Sequence, residues 1–261
     1  MPRLDAELVS RGIARSRENA KDMIKAGAVT VNGITAKKPS DEVCPEDEIV
    51  SSETDVYVGR GALKLEKAVA FFGIDLKGRK CLDIGASTGG FTEYMLKCGA
   101  EKVFSVDVGH GQLAESLCRD SRVVNMEGTD IRSVFPDDIG GKADFVSVDV
   151  SFISLTKVLP KIAELMSDGG EAVVLIKPQF EAGKKDIGKK GVVKDRKVHE
   201  RVLSDTDSAM RLAGLVPVGY TYSPVKGGSG NIEYLAHLRR EASVSAETDL
   251  RKLVGDAFAE L

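Results

Sequence analysis

The 261-residue chain has no run of eighteen apolar residues, so no transmembrane helix is expected. Its first twenty-two residues, MPRLDAELVSRGIARSRENAKD, contain no apolar core of the kind a secretory signal needs. Cysteine is sparse. Cys44, Cys81, Cys98 and Cys118 lie far apart, without a C-x-x-C, and the three histidines do not cluster, which argues against zinc and against a disulfide scaffold. The expectation is a protein of the reducing cytoplasm with no metal. Net charge is also small, −3, and by itself gives no hint of a polyanionic partner. At 42% hydrophobic residues the chain can pack one large domain and a small one.

The charge is unevenly placed. Residues 1–38 carry Arg3, Arg11, Arg15, Arg17, Lys21, Lys25, Lys37 and Lys38 against four acids, a local excess of four. Residues 177–197 hold an excess of five, with Lys184, Lys185, Lys189, Lys190 and Lys194 in a stretch punctuated by Gly183, Gly188 and Gly191. Two basic segments on an acidic chain suggest a local polyanion site. The second reads as a mobile loop able to clamp a nucleic-acid backbone.

The first fifty residues read as a separate module. Leu4, Leu8 and Val9 mark one helical face. Ser16 is a plausible N-cap for a second helix through Ala20, Met23 and Ile24, stopped by Gly27. Asn32-Gly33 is a strong hairpin signal, and Glu48-Ile-Val50 reads as a closing strand. The expected organisation is a small α+β module over 1–50, a polar linker over 51–58 and a larger domain over 59–261. In the last, apolar runs at 80–84, 102–108, 122–125, 145–150, 171–176, 216–222 and 233–238 alternate with helical patterns. That alternation predicts an α/β, doubly wound, mostly parallel seven-stranded sheet. The tail 248–261 carries an apolar stripe expected to pack back on the domain.

The run Cys81-Leu-Asp-Ile-Gly-Ala-Ser-Thr-Gly-Gly-Phe-Thr is an apolar strand, an acid and a glycine-rich turn opening a helix. Gly85, Ser87, Gly89 and Gly90 thus become a candidate cofactor loop at a strand's carboxyl end. Asp107 ends the next strand, where a carboxylate can accept both ribose hydroxyls, and Asp130 follows the third, near an adenine edge. A dinucleotide fingerprint wants glycine where Ser87 stands, and Asp83 would repel a pyrophosphate. S-adenosylmethionine has no phosphate, and its cationic amino group would attract Asp83. A second rival is formal: Gly85-Ala-Ser87-Thr-Gly89 matches a hydrolase nucleophile elbow, with Asp149 and His199 or His237 as forced partners.

Other strand ends carry an unusual set. Asp149 and Lys177 close two apolar runs, with Pro178 stopping the second. Glu233 opens the last strand, which reaches the same edge if that strand is antiparallel, and Lys64 precedes the sheet. Two lysines and two carboxylates beside a methyl donor suit transfer to a hydroxyl, a poor nucleophile until it loses its proton. One lysine about 4 Å away supplies about 4 kcal/mol at an effective dielectric near 20, too little alone to preform an alkoxide. Two lysines with a proton acceptor, acting as the carbon–oxygen bond forms, are enough to help.

Five segments occur in order: Val58-Gly-Arg-Gly-Ala-Leu-Lys-Leu, Leu82-Asp-Ile-Gly-Ala-Ser-Thr-Gly-Gly-Phe-Thr, Val148-Asp-Val-Ser-Phe-Ile-Ser-Leu, Leu175-Ile-Lys-Pro-Gln-Phe-Glu and Ser223-Pro-Val-Lys-Gly-Gly-Ser-Gly-Asn-Ile-Glu-Tyr-Leu. With the hairpin module, they resemble over nearly the whole chain the TlyA family, named haemolysin A in bacteria and similar to ribosomal-RNA ribose 2′-O-methyltransferases. The resemblance implies a Rossmann-like class I methyltransferase fold and a Lys-Asp-Lys-Glu tetrad at Lys64, Asp149, Lys177 and Glu233. It also implies S-adenosylmethionine at Asp83, Gly85, Asp107 and Asp130, and a ribosomal-protein-S-four-like RNA-binding fold over 1–50. Where the family has Ser-Arg-Gly-Gly before the first lysine, this chain has Gly59-Arg-Gly-Ala62. The implied substrate is cytidine in ribosomal RNA or ribosomal subunits. A membrane-active haemolysin, with the acidic tail helix as the one insertion candidate, and a non-catalytic ribosome-assembly binder are the rival classes.

Overall fold

The computed structural model describes residues 2–14, 17–51, 57–240 and 248–261. Arg15 and Ser16, with their expected RNA-contact and capping roles, lie outside the described residues. The chain divides into two compact units, 1–56 and 57–261.

The first unit contains α1 (Leu4–Ser10), α2 (Arg17–Lys25), β1 (Val29–Val31), β2 (Ile34–Thr35) and β3 (Ile49–Ser51). β1 pairs antiparallel with both other strands. Asn32 and Gly33 turn at φ of 51° and 79°, the left-handed pair that matches hairpin twist. Leu4, Leu8, Ala20, Met23, Ile24 and Val29 form its core. Asp5 is fully buried beneath Arg3 and Arg17. The Arg3 hydrogen bond leads the effects that hold its carboxyl down at about 2, against the cost of burial. Arg11 donates to the carbonyls of Cys44, Pro45 and Asp47 at 3.1, 3.0 and 2.7 Å, and to Glu7. It therefore ties α1 to the 44–47 turn.

The second unit runs α3 (Ala62–Phe72), β4 (Lys80–Ile84), α4 (Gly90–Lys97), β5 (Lys102–Asp107), α5 (Glu115–Cys118), β6 (Val123–Glu127), β7 (Ala143–Val148), α6 (Leu159–Leu165), β8 (Met166–Ile176), α7 (Pro178–Glu181), α8 (Arg196–Leu212), β9 (Val216–Tyr222), β10 (Tyr234–Arg239) and α9 (Leu250–Glu260). The strands form one sheet in the order β6-β5-β4-β7-β8-β10-β9, in which β10 runs antiparallel to both neighbours. Alternate strand residues feed two cores. Cys81, Val103 and Phe145 pack with α3 and α4; Leu82, Phe104 and Val146 pack with α6, α8 and α9.

β8 begins at Met166, five residues before the expected start, because the Gly169-Gly170 pair is absorbed as an irregularity in the pairing with β7. Cross-strand register sets where the strand ends lie. Ile84 pairs with Val148 and Val148 with Val174, while Tyr234 pairs with Ile176. Asp149 and Lys177 therefore each stand one residue past a parallel strand, and Glu233 one residue before the reversed strand beside Lys177. All three reach the same edge of the sheet.

Candidate active site

The turn from β4 to α4 holds Gly85, Ser87 and Gly89 at φ of 84°, 49° and 93°. A Cβ on Gly85 would lie 2.4 Å from the carbonyl oxygen of Asp149, so the turn closes against the end of β7 only with glycine there. Asp107 accepts from the backbone N–H of Ser87 at 2.8 Å and of Gly109 at 2.7 Å. Gly85, Ser87, Asp107, Val108, Asp130 and Phe152 are among the walls of a cavity of about 570 Å³, within the size range of small-ligand sites. Arg132 donates to Asp130 through its guanidinium and its backbone N–H, holding that carboxyl below the usual carboxylate range.

A second cavity, of about 240 Å³, is lined by Gly59, Arg60, Lys64, Thr88, Gly90 and Asp149. Gly85, Ser87 and Asp149 border both spaces. Gly90 opens α4 where a Cβ would press at 3.0 Å on the Ala62 nitrogen. Gly89 borders neither space and backs onto Leu113 and Leu117. The donor set fits S-adenosylmethionine: the Asp107 carboxylate at a strand end, apolar Val108 and Ile131, and a glycine turn whose backbone borders the cavity.

Asp83 lies elsewhere than expected. It pairs in register with Ser105 and Ser147, so all three point to the α4 side of the sheet. There Thr92 donates to Asp83 at 2.7 Å and Ser147 at 3.0 Å, and the carboxyl is fully buried. It borders neither cavity and cannot face the cofactor's amino group. Burial pushes it up to about 7, against the pull of the two hydroxyls. An acid raised in the folded state contributes its stability below the unfolded value near 4 and loses it as pH rises through about 7. Relative to the wild type, Asp83→Asn should therefore gain stability between pH 4.5 and 7.5, on the order of a few kcal/mol. Denaturant midpoints across that range check it; a constant difference would refute the buried acid.

Lys64 on α3, Asp149, Lys177 and Glu233 come together. The Lys64 Nζ lies 2.7 Å from Glu233 Oε2 and 3.7 Å from Asp149 Oδ2. The Lys177 Nζ lies 2.5 Å from Asp149 Oδ1 and donates to Ser151 Oγ at 2.9 Å. Asp149 thus sits between two lysines at the wall common to both cavities. Such a cluster can orient a hydroxyl, offset negative charge developing on its oxygen and take up its proton.

Three neighbours escaped the sequence reading. Ser151 holds Lys177. Gln179 donates to Glu233 Oε1 at 3.0 Å. Phe152 is 93% exposed at φ 62°, its ring 5.2 Å from that of Phe180. The available signal was their position just past the strand ends that carry Asp149 and Lys177.

The nucleophile elbow is not assembled. Ser87 Oγ donates to Gln112, His199 is buried between Tyr234 and the Val193 carbonyl, and His237 pairs with Glu171 at the opposite part of β10. Lys184, Lys185, Lys189 and Lys190 are exposed. The loop that carries them is anchored: Asn231 accepts from the Val193 N–H at 3.0 Å and donates to the Gly191 carbonyl at 2.9 Å. Arg3, Arg17, Lys21 and Lys25 keep side-chain exposures of 50, 56, 37 and 67%. Arg11, by contrast, spends its donors on the 44–47 turn.

Strand order, reversed β10, glycine turn and acid-ended strands define an S-adenosylmethionine-dependent methyltransferase. A structure of that class from Listeria monocytogenes, 15% identical, shares the fold at a TM-score of 0.52, covering 70% of this chain and all of that one. The chain belongs to the FtsJ-like methyltransferase family, whose profile matches residues 57–240, with an S4 domain at 2–49, and within it to the TlyA group. The 16S/23S rRNA (cytidine-2′-O)-methyltransferase TlyA of Mycobacterium tuberculosis is 47% identical over 242 residues, 92% of this chain and 90% of that protein. Hemolysin A of Brachyspira hyodysenteriae is 43% identical, covering 90% and 98%. A protein from Streptococcus thermophilus that bears the hemolysin name superposes at a TM-score of 0.80 with 42% identity, covering 99% and 96%.

Proposed function

We propose that this chain methylates the ribose 2′-hydroxyl of a cytidine in ribosomal RNA, acting in the cytoplasm on RNA or ribosomal subunits. The observation that carries this is the pair of lysines, at 3.7 and 2.5 Å from the two oxygens of one aspartate, on the wall shared by both cavities. The relatives' names supply the acceptor class.

Asp107 and Asp130 would hold the adenosine part of the cofactor, and the Gly85–Gly90 turn would leave room for the rest. When bound, S-adenosylmethionine supplies an electrophilic methyl group on a sulfonium. Asp149 orients Lys177, whose Nζ receives the hydroxyl proton as the methyl passes from sulfur to that oxygen. Lys64, held by Glu233, offsets the charge on that oxygen. Residues 1–50 act as the RNA-binding domain, with Arg3, Arg17, Lys21 and Lys25 as its exposed cations, 51–58 as the linker and 59–261 as the catalytic domain. Lys184, Lys185, Lys189 and Lys190 add backbone contacts. Incubation with labelled S-adenosylmethionine and RNA from unmodified ribosomes, then digestion to nucleosides, tests the reading. Absence of 2′-O-methylcytidine would end it.

Phe152 suits a stacked base, since an exposed ring beside a second aromatic is a sequence-tolerant platform. Phe152→Ala should lower kcat/KM for RNA about tenfold, within the cost of one lost base–aromatic stack, with a smaller loss of cofactor affinity because the ring also borders the cofactor cavity. An equal loss in both would show that the ring serves the cofactor. The tail stripe that membrane insertion would need is covered, because Leu253, Val254 and Ala257 are buried in the α8 side core. Among the described residues no helix is long and apolar enough to cross a membrane.

A further inference from the structure

We infer that Gln179 is a positioning residue that keeps Lys64 hydrogen-bonded to Glu233, its nearer acid, and so leaves Asp149 to Lys177 as its close partner; this rests on the methyl-transfer reading above. Gln179 follows Lys177 by two residues, in the short α7 helix. Its Nε2 donates to Glu233 Oε1 at 3.0 Å, while Lys64 donates to Glu233 Oε2 at 2.7 Å. Its own Oε1 is buried and meets no donor among the described residues. The amide orientation is forced. Turned over, it would set a carbonyl oxygen against a carboxylate, and the orphaned acceptor is the cost of facing the donor to Glu233.

The consequence runs along the cluster. Glu233 is held from two sides, by Lys64 and Gln179, and it lies against Gly227, where a Cβ would come within 2.3 Å of its Oε1. Freed from Gln179, the carboxylate can turn about its last bond and release Lys64. Lys64 then has one remaining acid within reach, Asp149, now 3.7 Å away. Asp149 is also the partner of Lys177, at 2.5 Å. Two lysines competing for Asp149 would pull it from Lys177 and misdirect the proton acceptor. Gln179 therefore acts through Glu233 and Lys64 on a residue it does not touch.

The charged groups facing Glu233 are Lys64 from α3 and, one step further, Asp149 and Lys177, so a new carboxylate there should register in a titration. In the full-length protein, Gln179→Met should lower kcat for ribosomal-RNA methylation roughly ten- to a hundredfold, the scale of one hydrogen bond to a charge, with KM for S-adenosylmethionine within about twofold. Gln179→Glu should move the acid limb of the pH–rate profile upward by about one pH unit, as two carboxylates sharing a site do. Gln179→Asn, which keeps the amide on a shorter arm, should recover part of the rate. A merely structural role would leave the acid limb in place. Wild-type kcat in Gln179→Met together with a wild-type pH profile in Gln179→Glu would overturn the inference while leaving the methyl-transfer reading standing. Should the wild type methylate no RNA, that reading falls instead. The positioning role is then decided by ¹³C NMR titration of the Glu233 carboxyl, assigned by comparison with Glu233→Gln. A raised midpoint in Gln179→Met, which removes the donor and with it the hold on Lys64, supports it and an unmoved one rejects it.

Discussion

Lys177→Ala is expected to lower methyl transfer to RNA by about three orders of magnitude, the scale of a removed general base, while S-adenosylmethionine affinity stays within about twofold. The side chain reaches the cofactor cavity through Asp149 and Ser151, which line it, and is not itself among the lining residues. Its loss removes two things from Asp149 at once: the Lys177 Nζ 2.5 Å from Oδ1, and through it the link to Ser151. Asp149 then keeps Lys64 alone, at 3.7 Å, and no group stands ready to take the hydroxyl proton. Lys177→Arg is the sharper variant. It retains a cation for Asp149, yet a guanidinium does not give up its proton. If proton acceptance is the role, arginine should be nearly as inactive as alanine; if charge alone matters, it should restore much of the rate. Single-turnover methylation with labelled cofactor separates these, and a change below about tenfold in both variants would remove Lys177 from the chemistry.

How much of the molecule was legible in the sequence depends on what each inference needed. Strand periodicity and the terminal acids and lysines were local signals, and six of the seven expected apolar runs coincide with their strands to within two residues at either end, β8 alone starting five residues early. Glu233 needed one further step: its position at a strand start has meaning only if β10 is antiparallel, and the pairing of Tyr234 with Ile176 supplies that. Asp83 shows the limit of reading a motif as a string. The pleat turns it towards Ser105, Ser147 and Thr92, a fact fixed by cross-strand register and invisible in one strand. Arg11 counted as a cation for a phosphate, but three carbonyls of a turn more than thirty residues away take its donors. Gln179 and Phe152 carry no periodic or compositional mark. One is defined by a hydrogen bond across the cluster, the other by a left-handed backbone angle.

Gly85→Ala is expected to abolish cofactor binding and activity together, which distinguishes it from Lys177→Ala. Two costs coincide there. The residue sits at φ 84°, where a Cβ is strained whatever surrounds it. The added atom would also lie 2.4 Å from the Asp149 carbonyl oxygen and 2.9 Å from its carbon, which are backbone atoms at the end of a central strand. Neither can rotate away, so the turn and β7 must part. That moves the cofactor wall at Ser87 and the Asp149 carboxylate in one step. Gly99 provides the control. It has nearly the same angle, φ 85°, but its Cβ would meet Lys77 at no less than 3.5 Å, an ordinary contact. Gly99→Ala should cost only the left-handed strain, about 1–2 kcal/mol of stability, with cofactor affinity intact. Calorimetric titration with S-adenosylmethionine should show at least a hundredfold weakening in Gly85→Ala, the order reached when a few kcal/mol of strain are concentrated in a binding loop. Equal affinity in the two variants would mean that the angle alone, and not the approach of the turn to Asp149, decides what this position tolerates. The close packing of cofactor turn on catalytic strand would then carry no weight in binding.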